Sequence, residues 1–450
     1  MSVSRRQFLQ YLSPVLAAGV PGSFSPIANA LSWSNWSGGQ RSNPNALLYP
    51  ASESELKNLV VQRKGTLRVV GGGHSFSPLV NTHGTIISLE ALNGLLRHDS
   101  TTLTATFWAG SRIAQASPAL SRVGQGFFNE ADINMQSFAG AISTATHGTG
   151  RHLQSLSAYV TALRLLTPEG DFIDCSPEKD NDVFQAARCG LGTIGIITQI
   201  TTQNRQAYKL KEVVSVMSLD EALRYVDSHK DQHAHIEFMG FPFGNRAIVK
   251  TLDETTDTDT PVNEPVIDEN RLLEFAATTA MDHPWTNASL QHLIGMFVSD
   301  STRIGPSYAI YPSPRAVPFN EMEYELPAEQ GLDACKAVID TMRRHHLNVF
   351  FPLEFRYVAA DSVWMSPFYQ RPSVAISVHQ YYRQDYHPVF QALEPVFRHY
   401  QGRPHWGKLH TLTRQDIAAL YPRYADFMGV RHRIDPQGRL LNPYLRALFG

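Results

Sequence analysis

The chain has 450 residues, 43% hydrophobic and 18% charged, ordinary for a globular protein and long enough for two or three domains around a sizeable core. A formal net charge of −2 gives no electrostatic case for a nucleic acid or an anionic membrane as partner. Three cysteines, Cys175, Cys189 and Cys335, have no CxxC spacing and cannot build a disulfide framework, though one bridge stays open. At the N-terminus, Arg5 and Arg6 precede a mildly apolar run from about Phe8 to Val20, and Ala28-Asn29-Ala30 offers an A-x-A cleavage site. Residues 1–30 thus read as a secretory signal, too short and too polar to span a membrane, so no integral membrane segment is expected in the mature chain. SRRQFLQ matches the twin-arginine pattern S-R-R-x-F-L-K except at Gln10. That route moves folded proteins, suits a cofactor loaded before export, and leads to the bacterial periplasm. A plain secretory signal is the blander alternative.

From Leu31 onward the elements follow in order. Ser52 and Glu55 form a capping box that opens a helix ending before Gly65, and TLRVVG (66–71) is a short buried strand. TTLTATFWAGS (101–111) alternates as a strand, and RIAQASPALSRVG follows as a helix. Two strands flank the turn in LRLLTPEGDFIDC (163–175), then come a helix in DNDVFQAARCG and a strand at 193–203. The texture changes near Gln206, which sets a domain boundary at about 205. Ser218 and Glu221 open another helix, and HIEFMGFPFGNRAIVKTL reads as a strand pair turning at Gly244-Asn245. After an acidic loop at 256–265 come helical stretches at about 270–297 and 327–346. Strands at 349–360 and 373–382 follow, then a helix near 387–400. The fold class is α+β throughout, and the second domain is expected to lay helices over an antiparallel sheet.

Three glycine clusters compete as a phosphate site. Gly190-Leu191-Gly192-Thr193-Ile194-Gly195 fits the GxGxxG string, but a helix leads in and a β-rich run leads out, opposite to a dinucleotide-binding turn. RVVGGGHSFSP (68–78) fails the same string at Phe76 and lacks a Walker lysine. It still suits a phosphate, because Gly71, Gly72 and Gly73 can present backbone N–H groups without side-chain bulk while Ser75 and Ser77 add hydroxyls. GAISTATHGTG (140–150) repeats this chemistry with Ser143, Thr144, Thr146, Thr149 and its glycines. Two neutral, donor-rich loops suit an extended diphosphate better than one phosphate. A tight structural turn is the plain alternative for either loop alone.

GGGHSFSPL, GAISTATHGTG and GLGTIGIITQIT resemble, in order and spacing, the FAD-binding PCMH-type domain of vanillyl-alcohol-oxidase-type flavoproteins. NWSG (35–38), EFRYVAADSVWMSP (354–367), SVHQYY (377–382) and RPHWGKLH (403–410) are similar to the aldonolactone and alditol oxidase branch, closer to the D-arabinono-1,4-lactone and L-gulono-1,4-lactone oxidases. The resemblance runs from about residue 33 to 450. It implies a two-subdomain FAD-binding domain over 31–205 and a substrate (cap) domain over 206–450, whose C-terminal segment returns to the flavin. FAD contacts are implied for Gly71, Gly72, Gly73, His74, Ser75, Phe76, Ser77, Ser143, Thr146, His147, Gly148, Thr149, Gly195 and Ile197. His74 stands where relatives join a histidine covalently to FAD, and no cysteine precedes the 140–150 loop to make a second link.

Alcohol oxidation by a flavin needs a hydride acceptor and the loss of a hydroxyl proton. Glu354 and Arg356 are two apart on a predicted strand and share one face, where arginine can stabilise growing negative charge and glutamate can take the hydroxyl hydrogen bond. An ordinary salt bridge is the plain reading of the same pair. By analogy Lys408 lies at the flavin ring, Ser137 touches substrate, and His379 faces it. Glu354, His379 and Lys408 all remain candidates for the general base. His405 and His410 lack a carboxylate or third histidine at zinc-like spacing, so no metal is expected. The implied reaction oxidises the carbon beside the carbonyl of a sugar-derived lactone, with O2 or another redox acceptor taking the electrons. The rivals are a polyol (alditol) oxidase on the same scaffold, a non-catalytic carbohydrate-binding protein, and a nucleotide-dependent transferase.

Overall fold

A computed structural model describes residues 31–261, 269–313 and 315–450. The signal-type segment 1–30 and residues 262–265 of the acidic loop at 256–265 lie outside the described residues.

Three sheets organise the chain. A small parallel sheet places Thr85–Ser88 between Ala46–Leu48 and Leu67–Val70. An antiparallel five-stranded sheet runs Phe172–Cys175, Val160–Leu166, Ile196–Gln203, Thr104–Trp108, Leu95–Asp99. The second half is built on an eight-stranded antiparallel sheet ordered Ser301–Pro306, Lys209–Ser218, Arg246–Thr255, His235–Phe241, Leu353–Val358, Ser373–Tyr381, Phe319–Pro327, Arg403–Pro404. Helices Leu219–His229, Gly331–Arg344 and His387–His399 pack on one face of this sheet, the arrangement expected of an α+β domain.

Local chemistry explains the element ends. The Ser52 hydroxyl accepts from the Glu55 N–H at 3.1 Å, but Glu55 returns its carboxylate to Ala51 rather than to Ser52. Ser218 caps Leu219–His229 through the Glu221 N–H. The strand predicted over 101–111 is shorter, Thr104–Trp108, because a hairpin turn at Leu103, with a φ of 52°, joins it to Leu95–Asp99. The predicted helical stretch near 270–297 is two helices, Glu269–Asp282 and Asn287–Phe297, separated by a short turn that Pro284 starts.

Strand Phe319–Pro327 was not predicted, and its pattern matters most. Every residue in it is buried. One face, with Met322, Tyr324 and Leu326, joins the hydrophobic core, where Tyr324 stacks on Phe397 of a covering helix at 5.0 Å. The other face carries Glu321, Glu323 and Glu325, alternating as strand side chains must. Register sets Glu321 beside His379 and Glu323 beside Ser377, Ser377 beside Glu354, and Arg356 beside Glu237. One face of four adjacent strands is therefore charged and buried, the reverse of an ordinary core face.

That charged face turns toward the first half of the chain: the Gly150 N–H donates to the Tyr357 carbonyl at 2.7 Å, and the Arg356 guanidinium reaches Asp132. The C-terminal helices Arg414–Leu420, Tyr424–Ile434 and Pro443–Phe449 also return to the first half. Leu67 N–H donates to the Arg439 carbonyl at 2.8 Å, and the Asn442 amide to the Pro78 carbonyl at 2.7 Å.

Candidate functional site

The glycine turn after Leu67–Val70 is shaped by close packing. A Cβ on Gly71 would lie 1.8 Å from the Ser137 hydroxyl, and Gly73 has a φ of +67°, so neither position accepts a side chain without strain. The turn is braced by NWSG: Trp36 N–H donates to the Gly73 carbonyl at 2.8 Å, and the Asn35 amide to the Ser75 carbonyl at 3.0 Å. RPHWGKLH braces it from the other side, with Phe76 N–H on the Gly407 carbonyl and the Ser77 hydroxyl on the Trp406 carbonyl, both at 2.7 Å. Both motifs thus act on one loop.

Two cavities meet at this turn and share His74, Ser75, Gln136 and Thr144. The first encloses about 1070 Å³ and is lined by Gly71, Gly72, Gly73, Ser77, Ser137, Gly140, Ser143, Gly195 and Ile197, with Arg112 as a cation that the sequence reading missed. This is a glycine- and hydroxyl-rich cradle. It fits a long, anionic dinucleotide. The second, about 640 Å³, is far more charged: Asp132, Arg315, Glu321, Glu323, Glu354, Arg356, His379, His405 and Lys408 line it.

His74 is neutral over the physiological range: burial, then Arg112 and Lys408, push its pKa down to about 4. Its ring stacks on Trp36 with centroids 5.5 Å apart.

The structure distributes the sequence-predicted residues unevenly over the two cavities. Gly148 and Thr149 line neither cavity. Thr149 donates its N–H to the Tyr311 hydroxyl and its own hydroxyl to the Ile236 carbonyl, so the far end of the 140–150 segment is occupied with domain packing. The Ser77 hydroxyl is spent on Trp406, as above. Ser137 lines the first cavity, not the second, and its hydroxyl accepts from the Gly140 N–H at 3.2 Å as the cap of helix Phe138–Ser143. It is therefore placed on the cradle side, not at the substrate. Phe76, Thr146 and His147 line the charged cavity instead of the cradle; Phe76 stacks on Phe319 beside the Lys408 ammonium, 5.2 Å from its ring centre.

Inside the second cavity the charges fall into two groups. In the first, Arg356 binds Glu354 at 2.7 Å, Glu237 at 2.8 Å and Asp132 at 3.2 Å, while Arg315 binds Asp132 at 2.8 Å and Glu354 at 3.2 Å. Lys250 closes the set on Glu237 at 2.6 Å. Burial raises the proton affinity of Glu354 and of Asp132, but the arginines outweigh it and hold both carboxylates below their usual range.

The second group centres on Phe319–Pro327. Lys408 binds Glu321 and lies 3.6 Å from Glu323, and His379 faces Glu321 at 3.5 Å. Burial opposes charge on Lys408 and His379, yet Glu321 overcomes it and raises both pKa values. Behind them His147 Nε2 lies 2.7 Å from Glu323 and 3.8 Å from Glu325, while its Nδ1 bonds the Gly148 carbonyl at 2.8 Å. Neither oxygen of Glu325 has a hydrogen-bond partner, and burial together with Glu323 pushes its pKa well above the ordinary value.

The fold also gives His405 the neighbours that sequence spacing did not: His147, Glu323 and His405 hold ligand-type atoms within 4.8 Å of one another. Nδ1 of His405 accepts the Gly407 N–H at 3.0 Å, so the proton of the neutral ring sits on Nε2, and burial keeps the ring neutral, with a pKa near 3. The Lys408 ammonium lies on Glu323 as well, at 3.6 Å.

Asp132, Arg315, Glu321 and Glu323 escaped the sequence reading. The period-two carboxylates of NEMEYELP were the one available signal, a strand with a polar buried face. Nothing in the sequence around Asp132 or Arg315 marks them.

Comparison with known proteins adds two family profiles: D-arabinono-1,4-lactone oxidase over residues 200–448 and FAD binding domain over residues 44–176. L-gulono-1,4-lactone dehydrogenase of Mycobacterium tuberculosis is 36% identical over 93% of this chain and 99% of its own. L-gulonolactone oxidase of Mus musculus is 28% identical over 92% and 97%, and alditol oxidase of a Streptomyces species 28% identical over 92% and 98%. Among solved structures, a solvent-stable cholesterol oxidase superposes with a TM-score of 0.78 at 16% identity, covering 93% of this chain and 97% of that one. That likeness concerns the fold alone.

Proposed function

Because the chain belongs to the D-arabinono-1,4-lactone oxidase family, it is an FAD-dependent oxidoreductase acting on a CH–OH group of an aldonolactone, and we propose that it oxidises the hydroxyl-bearing carbon beside the lactone carbonyl. The observation that carries this reading is the junction of the two cavities at His74, where a glycine- and hydroxyl-rich cradle opens onto a far more charged chamber. FAD, when bound, supplies the two-electron acceptor.

The residues of the chamber divide the remaining work. Glu354, fixed between Arg315 and Arg356, accepts the hydrogen bond of the reacting hydroxyl. Lys408 and His379, whose hold on a proton Glu321 strengthens, are suited instead to stabilise negative charge growing on the substrate oxygen. Of the three candidate bases this leaves Glu354. Electrons then pass to O2, giving H2O2, or to another acceptor.

His74 carries the FAD covalently through a ring nitrogen. Support comes from its neutral ring beside the glycine turn and from the resemblance of GGGHSFSPL to histidyl flavoproteins. Acid precipitation of the wild type and His74→Ala tests the link. Yellow colour should stay with the wild-type pellet and leave the variant's, and equal release from both would sink it. Export to the periplasm by the twin-arginine route is supported by Arg5, Arg6 and the A-x-A site alone. Cell fractionation of an Arg5→Lys, Arg6→Lys variant would show retention in the cytoplasm if the route is right. Substrate class is tested by anaerobic flavin bleaching with lactones against polyols; bleaching by polyols only would turn the reading to an alditol oxidase.

A further inference from the structure

We propose that Arg315 selects a lactone over a polyol by donating to the ring carbonyl, which makes it a substrate-binding residue of the second cavity. The inference rests on the lactone reading above and names a side chain for it.

Two guanidiniums border Glu354, and they are differently occupied. Arg356 is held by three carboxylates, Glu237, Glu354 and Asp132, with its side chain 10% exposed. Arg315 is 23% exposed, and its described bonds, to Asp132 and to Glu354, both leave from Nη2. Asp132 and Glu354 therefore anchor one corner of the Arg315 fork, while among the described residues Nε and Nη1 have no partner, and Arg315 lines the cavity. The anchor stiffens a long side chain, so less entropy is lost when a ligand docks on it.

Position follows from bonding. In the proposed reaction the carbonyl carbon is bonded to the carbon that carries the reacting hydroxyl. A hydroxyl resting on Glu354 places the carbonyl carbon one bond beyond the reacting carbon and the carbonyl oxygen one bond beyond that, within reach of the guanidinium that itself touches Glu354 at 3.2 Å. A polyol offers a hydroxyl there instead. A charged fork prefers the carbonyl, a pure acceptor, to a hydroxyl that must also place its own hydrogen. Charge balance fits as well: Asp132, Glu237 and Glu354 face Arg315, Arg356 and Lys250. The site is already neutral, so it favours a neutral ligand with a strong acceptor over an anion.

The test compares two rings that differ only in the carbonyl. L-gulono-1,4-lactone is followed by anaerobic flavin bleaching, whose saturation gives its Kd, and 1,4-anhydro-L-gulitol is measured as a competitive inhibitor of that bleaching. Arg315→Met holoenzyme should bind the lactone about 10- to 150-fold more weakly, the size of one hydrogen bond to a charged group. The inhibitor's Ki should move less than about threefold. Arg315→Lys, which keeps the charge and loses the fork, should fall between, and it serves if the methionine variant does not load FAD. Equal losses for both rings, or none for either, would overturn the assignment of the carbonyl to Arg315. Failure of the wild type to bleach with any lactone would instead overturn the substrate reading itself.

Discussion

The two charge groups of the second cavity stand on the same sheet face, yet they are built on opposite principles. Around Arg356, three carboxylates meet two guanidiniums and an ammonium, so the charges balance without any titratable histidine. Around Glu323, three carboxylates meet one ammonium and histidines, so charge there depends on where protons sit. Guanidinium pairs hold geometry over a wide pH range because arginine does not deprotonate. Histidine–glutamate pairs hold protons near neutrality and can exchange them. The difference teaches where to look for rigidity and where for pH response: substrate orientation belongs to the first group, electrostatic tuning to the second.

The largest effect should come from breaking the balanced group. Arg356→Met leaves Glu354, Glu237 and Asp132 short of a partner in a buried site, a class of change that costs about 3–5 kcal/mol. It also removes a donor from the reaction centre, for which losses of about 10²–10³ in kcat are typical. Denaturant unfolding and the limiting rate of flavin bleaching measure the two separately. A variant with near-wild-type bleaching would reduce the Glu354–Arg356 pair to an ordinary strand salt bridge.

A smaller effect, confined to one side of the pH range, should come from the second group. Glu321 raises the pKa of His379. The sign follows directly: a raised histidine pKa means the ion pair is fully present below the unfolded value of about 6.5 and is lost as pH rises through the folded value. Activity that depends on cationic His379 should therefore fall on the alkaline side. In Glu321→Gln that fall should begin at lower pH, with kcat/KM at pH 8 reduced about 10²-fold relative to pH 6, the lower end for loss of one positioned acid–base group. An unmoved alkaline limb would mean that His379 is not the group titrating. Arg356→Lys, by contrast, should leave the limb where it is.

The same contrast explains what was legible beforehand. Glu354 and Arg356 were legible as a pair two apart on a predicted strand, while His379 and Lys408 were reached through the resemblance carried by SVHQYY and HWGKLH. Glu321 and Glu323 were missed because NEMEYELP reads as a polar stretch, and its glutamates are buried by the first half of the chain, where His147 meets Glu323. Asp132 and Arg315 come from irregular segments whose position is set by the meeting of the two halves, and no local pattern encodes that. The glycine turn was legible as a cradle, but the fate of its hydroxyls was not. Ser77 and Thr149 look like phosphate donors until their partners, Trp406 and Ile236, arrive from hundreds and scores of residues away.

The smallest expected effect is the sharpest test of the proton-bearing group. Glu325 lies behind Glu323 with both oxygens unpartnered and its proton affinity raised by burial and by Glu323. A carboxyl in that setting stays protonated, because an unpaired buried charge beside another carboxylate is costly. Replacing it with the isosteric amide changes no net charge, so Glu325→Gln should alter unfolding free energy by less than about 0.5 kcal/mol, the range of benign substitutions. Glu323→Gln is the control. It removes a carboxylate that Lys408, His147 and Ser377 all use, and breaking such a buried pair costs about 3–5 kcal/mol. Two neighbours on one strand face, two residues apart, should thus differ by several-fold in sensitivity to the same chemical change. Equal destabilisation in urea would mean that Glu325 is ionised, and the row would then carry a fixed charge like the arginine group rather than an exchangeable proton.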